Sequence, residues 1–424
     1  MQTEITESEI QIENSIHQKK IGIKQTFAAL KYRNYRLWFW GQMISLFGSW
    51  MQSTALAFFV FELTHSPAYL GYVGFAAGIP AWLFTFYSGV IADRYPRKKI
   101  IILTQFWMMF LAFLLAFLTF GKIIQPQMII AISFLLGVGN AFEATARHAF
   151  VNELVDKEDL TNAIALNSTM FNTATALSPA IAGIIYALLG PAWCFTINGV
   201  SFAAVIINLF RMEINIVKSS SERKSVINEI KEGFSYLKQN DLLFTIVSIT
   251  SILSLFGMGL VTLFPAWAVK ILHGDSTTNG FLQSARGLGA VIFAIIIASV
   301  NKYIIRGKYL SASTVVLPIL ILIFSLTQNF IESIIMLALI GGTIILMFNL
   351  SNGLIQTNVE EKYRGRILSF YTFSFFALYP VGALWIGMLA EHFGIRISII
   401  INSLILFSFG IFVWFKKSKL KTAI

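Results

Sequence analysis

The sequence predicts an all-α membrane protein with twelve transmembrane helices, arranged in two pseudo-symmetric halves of six. Of its 424 residues, 56% are hydrophobic and only 12% are charged, whereas a soluble domain usually carries about 25% charged residues. Apolar runs long enough to cross a bilayer recur along the whole chain. One long polar connection interrupts these runs and divides them into two equal groups.

The predicted organisation follows the order of the apolar runs. A cytoplasmic tail occupies residues 1–37, the first half 38–210, a cytoplasmic linker 211–241, the second half 242–415 and a short cytoplasmic tail 416–424. We expect membrane spans at 38–60, 69–91, 100–120, 127–149, 163–189 and 192–210, and then at 242–269, 280–300, 309–328, 332–355, 367–390 and 397–415. The linker is rich in Ser, Lys and Glu, as expected of a connection outside the membrane.

The distribution of positive charge predicts the orientation of the chain. The formal net charge is +11, which in a soluble protein would suggest nucleic acid as a partner. Here the basic residues flank apolar spans, so the positive-inside rule accounts for them. Almost all of the 32 Lys and Arg residues fall on one side, with Lys122, Lys270 and Arg396 on the other and Arg286 within a span. We therefore expect both termini in the cytoplasm, a lipid bilayer as partner and no nucleic acid.

The sequence lacks the patterns of several other protein classes. Cys194 is the only cysteine, which excludes an intramolecular disulfide and a cysteine metal cluster. Phosphate-binding loops and the hydrolase motifs His-Glu-x-x-His and Gly-x-Ser-x-Gly do not occur. The polar N-terminal segment does not have the pattern of a signal peptide, so the first span is expected to direct membrane insertion. We therefore predict no enzymatic activity, no cofactor and no metal, with an ion gradient, H⁺ in the simplest case, as the energy source.

An internal repeat supports the two-half organisation. Two sets of residues occur at the same spacing, namely Gly183, Gly190, Asn198 and Gly387, Gly394, Asn402. Each set lies at the end of a half's fifth span and the start of its sixth span, with a proline upstream. A weaker correspondence relates residues 301–303 to residues 93–95. Such a repeat is expected when two halves are related by an axis along the membrane normal.

A short charged segment between the second and third apolar runs is the strongest local motif. It has the form Gly-x-x-x-Asp-Arg-x-x-Arg-Lys, with Gly89, Asp93, Arg94, Arg97 and Lys98 at its defined positions. We expect Asp93 to form a gating contact between the halves, strengthened by the positive N-terminal end of a helix opposite it. Gly89 would permit close approach of the helices. The alternative is that a short cytoplasmic turn simply collects Lys and Arg.

Glu143 and Arg147 lie one helical turn apart within the fourth apolar run. A charged side chain inside a membrane is costly and marks a candidate functional site. Glu143 is the only carboxylate well inside any span, and it is our candidate for a proton-linked residue. The alternative is that Glu143 and Arg147 neutralise each other at this spacing, with Arg147 reaching the lipid headgroups.

Arg286 is the other charged residue inside a span, and no carboxylate lies within reach along its own helix. In a central cavity it would suit an anionic ligand group or a carboxylate from another helix, whereas the alternative is that it extends outward to the interface. Gln42 and Asn140 are further candidate cavity contacts. Most polar uncharged residues in membrane spans form hydrogen bonds between helices.

These motifs, taken in order, resemble the major facilitator superfamily over nearly the whole chain. Besides the segment that begins at Gly89, the resemblance rests on residues 34–42, 141–148, 159–168, 179–183 and 364–366. Within the superfamily, the chain is similar to the branch that includes bacterial enterobactin exporters and macrolide efflux pumps. Pro96 stands where many members of the superfamily have Gly, and the chain departs from that branch at Thr145, Thr175 and Ser178. The last two replace the usual Arg and Gly of the fifth-span antiporter motif.

The resemblance implies the major facilitator fold and a secondary transporter in the bacterial cytoplasmic (inner) membrane. It implies export of a small-molecule substrate, a siderophore or a drug such as a macrolide, by alternating access driven by inward proton flow. We expect a monomer, with or without envelope export components as partners. Two alternatives stay open: an importer of a siderophore or nutrient, and a non-transporting membrane sensor or assembly factor on the same scaffold.

Overall fold

The computed structural model describes residues 27–213, 226–300, 306–416 and 420. Within these ranges, twelve helical segments are long and apolar enough to cross a membrane, which confirms the predicted fold class. Spans one to six are Arg33–Thr64, Pro67–Arg94, Arg97–Phe120, Pro126–Phe150, Leu160–Leu189 and Pro191–Phe210. Span seven runs from Asp241 to Lys270, and spans eight to twelve are Ser276–Val300, Arg306–Leu326, Phe330–Asn358, Arg364–Phe393 and Ile395–Lys416. The weaker repeat at 301–303 lies outside the described residues.

The two halves are built on the same packing pattern. In the first half, span one packs against spans five and six, span two against span four, and span three against spans four and six. In the second half, span seven packs against spans eleven and twelve, span eight against span ten, and span nine against spans ten and twelve. Each pair in the second half is the counterpart of a pair in the first half. The halves meet along two seams, span two against span eleven and span five against span eight.

The repeated residues make equivalent contacts in the two halves. Gly190 and Gly394 have φ angles of 89° and 84° at the turns before spans six and twelve, a conformation that glycine adopts without steric cost. The Asn198 side chain donates a hydrogen bond to Gln52 Oε1 at 2.8 Å. The Asn402 side chain donates to the Phe256 carbonyl oxygen at 3.2 Å. In both halves, therefore, an asparagine ties the last span to the first.

Span seven is not the single regular helix that the apolar run at 242–269 predicts. It begins as an α-helix at Asp241–Ile252, continues as a π-helix at Leu253–Gly257 and a 3₁₀-helix at Met258–Leu263, and ends as an α-helix at Phe264–Lys270. Glycine weakens a regular helix, and a Cβ at Gly259 would lie only 2.8 Å from the Gly382 carbonyl oxygen of span eleven. The irregular segment therefore lies where the two backbones approach closely.

The polar linker contains a helix that was not predicted, Val226–Gln239, which we call the linker helix. The Tyr236 ring stacks on Tyr363 with 4.1 Å between centroids. Glu232 Oε2 accepts a hydrogen bond from Arg366 Nη1 at 2.7 Å. The linker helix packs against spans seven and eleven, so it is attached to the second half.

The connections between spans define two faces of the molecule. The basic face carries the connections at 95–96, 151–159 and 359–363, together with the linker helix. The opposite face carries those at 65–66, 121–125, 271–275 and 327–329.

Candidate substrate cleft and gating residues

Glycines bring the two halves into backbone contact near the opposite face. A Cβ on Gly71 of span two would lie 2.9 Å from the Ala383 carbonyl oxygen and 3.3 Å from the Gly387 Cα of span eleven. At the other seam, the Ser276 hydroxyl donates a hydrogen bond to the Gly183 carbonyl oxygen at 3.1 Å. Gly183 and Gly387 are the repeated glycines, so the internal repeat places one at each seam.

Glu391, near the end of span eleven, connects the halves at the same face. Its Oε2 accepts hydrogen bonds from the Ser66 hydroxyl at 2.7 Å and from the Ala68 backbone N–H at 3.2 Å. Ser66 is the N-cap residue of span two, and Ala68 lies in its first turn. The free N–H groups and the dipole at a helix N-terminus favour a carboxylate. Glu391 therefore caps a helix that belongs to the other half.

The gating contact predicted for Asp93 is not made at the basic face in this structure. Asp93 and Arg94 are exposed, and among the described residues Asp93 has no hydrogen bond or ion pair. A Cβ added to Gly89 would have no atom within 4 Å. The close helix approach expected at Gly89 is therefore absent in this structure.

Arg97 and Lys98 of the same motif are bound within the first half. Arg97 Nη1 donates to Glu153 Oε1 at 2.5 Å, and Lys98 Nζ donates to the Met212 carbonyl oxygen at 2.8 Å. Both contacts join the start of span three to segments that follow spans four and six. In this state, the two cations stabilise the basic face of the first half.

A cleft between the halves follows from these contacts. The Thr54 hydroxyl of span one lies 3.4 Å from Gln283 Oε1 of span eight, which closes the cleft towards the opposite face. The rings of Trp82 in span two and Phe373 in span eleven are 6.1 Å apart between centroids. Further along span two, Gly89 faces open space. The cleft is therefore closed near the opposite face and open towards the basic face.

The structure forms the Glu143–Arg147 pair expected from their spacing. Arg147 Nε lies 3.5 Å from Glu143 Oε1, and the exposed fractions of the two side chains are 21% and 7%. Glu143 Oε1 is buried without a hydrogen-bond partner. Glu143 is thus compensated by charge but incompletely hydrogen-bonded, an arrangement that is sensitive to gain of a proton.

Arg286 lies inside the second half, among spans seven, eight, ten and eleven. Its Nε is buried and has no hydrogen-bond partner. Tyr379 of span eleven is close enough to interact with it electrostatically, and Tyr379 lies beside Thr262 of span seven. Among the described residues, no carboxylate forms an ion pair with Arg286.

The remaining candidate cavity residues do not join these charges in one hydrogen-bonded cluster. Gln42 is buried, and its Oε1 has no hydrogen-bond partner. Asn140 is exposed on span four. Gln42, Asn140 and Glu143 belong to the first half, whereas Arg286 lies in the second half. The predicted site residues are therefore divided between the halves.

Several functional contacts were not identified from the sequence. Glu391 caps span two, and the Tyr186 hydroxyl donates a hydrogen bond to Glu62 near the opposite face. At the basic face, Lys31 Nζ lies 2.7 Å from Asp159 Oδ2, and this hydrogen bond raises the pKa of Lys31. Each pair joins residues far apart in sequence, so local spacing gives no signal. For Glu391 and Glu62, the position of a carboxylate at the end of a span was the one sequence feature that could have indicated such a contact.

This architecture is that of a major facilitator superfamily transporter. Residues 24–423 match the transmembrane secretion effector family, and the chain belongs to that family. The predicted resemblance to the superfamily is thereby confirmed, together with the multi-pass membrane character of the chain.

Characterised relatives cover most of the chain at low identity. The staphyloferrin A transporter of Staphylococcus aureus is 26% identical over 85% of this chain and 90% of its own length. Macrolide efflux protein A of Streptococcus pyogenes is 23% identical over 86% of this chain and 92% of its own. The enterobactin exporter EntS of Citrobacter koseri is 25% identical, with 80% of both chains covered.

Known crystal structures share the fold. A bacterial homologue of the human lysosomal transporter Spinster, crystallised in an inward-facing and unoccupied conformation, gives a TM-score of 0.73 at 14% identity. The similarity covers 93% of this chain and 98% of that one. The nucleoside transporter NupG gives a TM-score of 0.70, also at 14% identity, over 91% and 98% of the two chains.

Proposed function

We propose that this protein exports a small organic molecule by alternating access, driven by inward proton flow. The observation that carries the proposal is the cleft between the halves, which is closed near the opposite face and open towards the basic face. Rocking of two pseudo-symmetric halves about such a cleft exposes one site to each side in turn. The names of the relatives, a transporter, an efflux protein and an exporter, favour export.

The positive-inside rule supports the placement of the basic face in the cytoplasm of a bacterial cell, with the protein in the cytoplasmic membrane. In that orientation, the described state receives its substrate from the cytoplasm. A monomer suffices for this mechanism, because both halves of the cleft come from one chain. Envelope export components would be additional partners rather than parts of the cleft.

Glu143 is the proposed proton-linked residue. In the described state its negative charge compensates Arg147 at 3.5 Å. Protonation would leave Arg147 uncompensated in a poorly hydrated environment, which is costly. A conformation that hydrates Arg147 or gives it another partner would then be favoured. Proton binding and the movement of the halves are coupled in this way.

Transport in proteoliposomes tests the coupling. Purified wild-type protein, with substrate and an imposed pH gradient, is expected to accumulate substrate against its concentration gradient. Glu143→Gln removes the titratable group, so it should lose this accumulation entirely while retaining downhill substrate exchange. Glu332→Gln, at the exposed start of span ten, is the matched control. Full uphill transport by Glu143→Gln would remove Glu143 from the mechanism.

Metabolite profiles identify the substrate and the direction of transport. A deletion strain and its parent are grown with and without iron, and small molecules are measured in cells and medium. A metallophore retained in the mutant cells and missing from the medium would identify a siderophore exporter. Unchanged metallophores with lowered tolerance to lipophilic drugs would identify a drug exporter. Accumulation of a compound only in cells that express the protein would contradict export.

A further inference from the structure

We propose that the closed end of the cleft binds an organic anion, with Arg286 holding its carboxylate and aromatic side chains of span eleven contacting its apolar body. The inference rests on the proposed function in one respect: the cleft is taken to be the substrate site. It adds the chemical class of the substrate, which we infer from the charge and the side chains at the closed end of the cleft.

The position of Arg286 follows from its neighbours along span eight. Gln283, one helical turn earlier, faces Thr54 of span one at 3.4 Å and so points towards the other half. Residues three apart lie on the same face of a helix. Span eight runs from Ser276 at the opposite face towards the basic face. Arg286 therefore occupies the first turn below the point at which the cleft closes.

The charge of Arg286 has no compensating anion in the described part of the chain. Its Nε is buried without a hydrogen-bond partner, and the side chain lies close enough to Tyr379, an uncharged tyrosine, to interact with it electrostatically. An uncompensated buried cation is costly, and a ligand carboxylate would remove that cost. Guanidinium groups bind carboxylates through two parallel hydrogen bonds, which also fixes the orientation of the ligand.

The surrounding helices hold Arg286 in place before a ligand arrives. A Cβ on Gly341 of span ten would lie 3.0 Å from Arg286 Cγ, so the glycine makes room for the stem of the arginine. On the far side, Tyr379 packs beside Thr262 in the irregular part of span seven. The side chain is therefore positioned by three helices of the second half, which reduces the entropy lost on binding.

Span eleven carries further aromatic side chains at helical spacing from Tyr379. Phe376 is one turn before Tyr379, and its exposed fraction is 61%. Phe373, one turn further towards the basic face, is 55% exposed and contacts the Trp82 ring of the first half. Aromatic rings that line a cleft provide apolar contact area for the body of a ligand. A cation beside this surface suits an aromatic or apolar carboxylate.

A reporter cysteine tests whether the charge of Arg286 acts in the cleft. Phe376→Cys places a thiol on the face of span eleven that carries Tyr379, whereas the native Cys194 is fully buried and gives little background. The rates at which an anionic and a cationic methanethiosulfonate reagent modify this thiol are measured. The ratio of the two rates is then compared between the Phe376→Cys protein and the same protein with Arg286→Gln. At an effective dielectric of about 20, a unit charge roughly 10 Å away should change this ratio by about tenfold or more. An unchanged ratio would overturn the proposal.

Ligand binding tests the substrate class with probes matched in shape. 1-Naphthoate and the neutral 1-naphthamide are titrated into the purified full-length protein, and the thermal unfolding midpoint is followed. We expect naphthoate to stabilise the wild type and the amide to have little effect. Arg286→Gln should weaken naphthoate binding by about 10- to 150-fold, the range for hydrogen bonds to a charged group.

Arg396→Gln is the matched control, because Arg396 also has a buried Nε and donates to the Thr327 carbonyl oxygen at 3.2 Å, away from the cleft. It should leave naphthoate binding unchanged. Equal binding of acid and amide, no naphthoate binding, or unchanged binding in Arg286→Gln would each overturn the anion site.

Failure of this inference and failure of the proposed function give different results. Uphill export of a neutral or cationic compound, unaffected by Arg286→Gln, would remove the anion site and leave the exporter. Charge-selective binding of naphthoate by a protein that transports nothing in proteoliposomes would leave the anion site and remove the exporter.

Discussion

The two ends of the span two–span eleven pair differ in how they use a carboxylate. At the opposite face, Glu391 near the end of span eleven accepts two hydrogen bonds from the N-terminus of span two. At the basic face, where span two ends and span eleven begins, Asp93 lies near the end of span two and is exposed. The same two helices therefore carry one carboxylate that caps the other half and one that does not.

Under the alternating access proposed above, the two caps would form in turn. Rigid halves that rock about a central cleft cannot be in contact at both faces at once. Closing the basic face would bring Gly89 against span eleven and Asp93 towards its N-terminal N–H groups, while Glu391 would leave span two. We expect the energies of the two caps to set the balance between the two states. The following substitutions test this comparison.

The largest effect is expected for Gly387→Val. A Cβ at this position would lie 2.8 Å from both the Gly71 Cα and the Pro67 carbonyl oxygen. Overpacking of this kind costs about 1–3 kcal/mol, equivalent to a population change of about 5- to 150-fold. Spin labels are placed at Leu188 of the first half and Ile331 of the second half, which are both exposed near the opposite face. The fraction of molecules with a long distance between the two labels, in which this face is open, should increase. Gly365→Val, where a Cβ has no neighbour within 4 Å, should leave the distribution unchanged.

Glu391→Ala should shift the same distances in the same direction by a smaller amount. Loss of an N-cap hydrogen-bonding group costs about 0.5–2 kcal/mol, and only the opposite-face closed state loses it. Glu332→Ala is the control, since Glu332 lies in the first turn of its own span at the same face. Equal distance distributions in wild type and Glu391→Ala would show that this cap does not stabilise the closed face.

Asp93→Asn should act in the opposite sense. It removes a charge that stabilises only the state closed at the basic face, by about 0.3–1 kcal/mol for a carboxylate at a helix N-terminus. The label pair should therefore report more of the short distance than in wild type. A shift towards the long distance would contradict the alternation of the two caps.

The smallest effect is expected at the turn Ala28–Lys31, where neither cap is involved. Asp159 raises the pKa of Lys31 above its ordinary value of 10.5, so the pairing stabilises the fold fully below that ordinary value and is lost as the pH rises through the raised pKa. Protection of the Ala28–Lys31 amides from hydrogen exchange, taken relative to the intrinsic base-catalysed rate at each pH, should fall over that range. Lys31→Met should show low protection at all pH values, with unchanged distances at the opposite face. Wild-type protection that stays constant over that range would exclude the pair as an anchor.

The sequence predicted the architecture well because membrane spans are coded locally. Hydropathy located the twelve spans that the described residues contain. Pairing of Glu143 with Arg147 was one of the two alternatives that their spacing on one helix left open, and the structure contains this pair. Each of these features depends on residues within a few turns of one another.

The features that were missed depend on contacts between distant segments or on backbone irregularity. Glu391 meets Ser66 across the two halves, and no periodic pattern links them. The linker helix carries apolar residues at helical spacing, Ile230, Phe234 and Leu237. This spacing could have predicted an amphipathic helix in the segment that was interpreted as a polar linker. The break in span seven had one local indication, the close pair Gly257 and Gly259. The openness of the basic face depends on how the two halves are placed relative to each other, and no local sequence pattern encodes that placement.

Span one and span seven occupy equivalent positions but have different stiffness. Span one is a continuous α-helix over Arg33–Thr64, and its Gln52 offers only a side chain to Asn198. Span seven changes helix type three times, and Asn402 donates a hydrogen bond to the backbone carbonyl oxygen of Phe256 within its π-helical segment. The first half is therefore built on a regular helix, whereas the second half has an irregular segment near Arg286. A ligand held by Arg286, as proposed above, would contact the half whose first span has an interrupted α-helical hydrogen-bond pattern, and the regular span one would be left unperturbed.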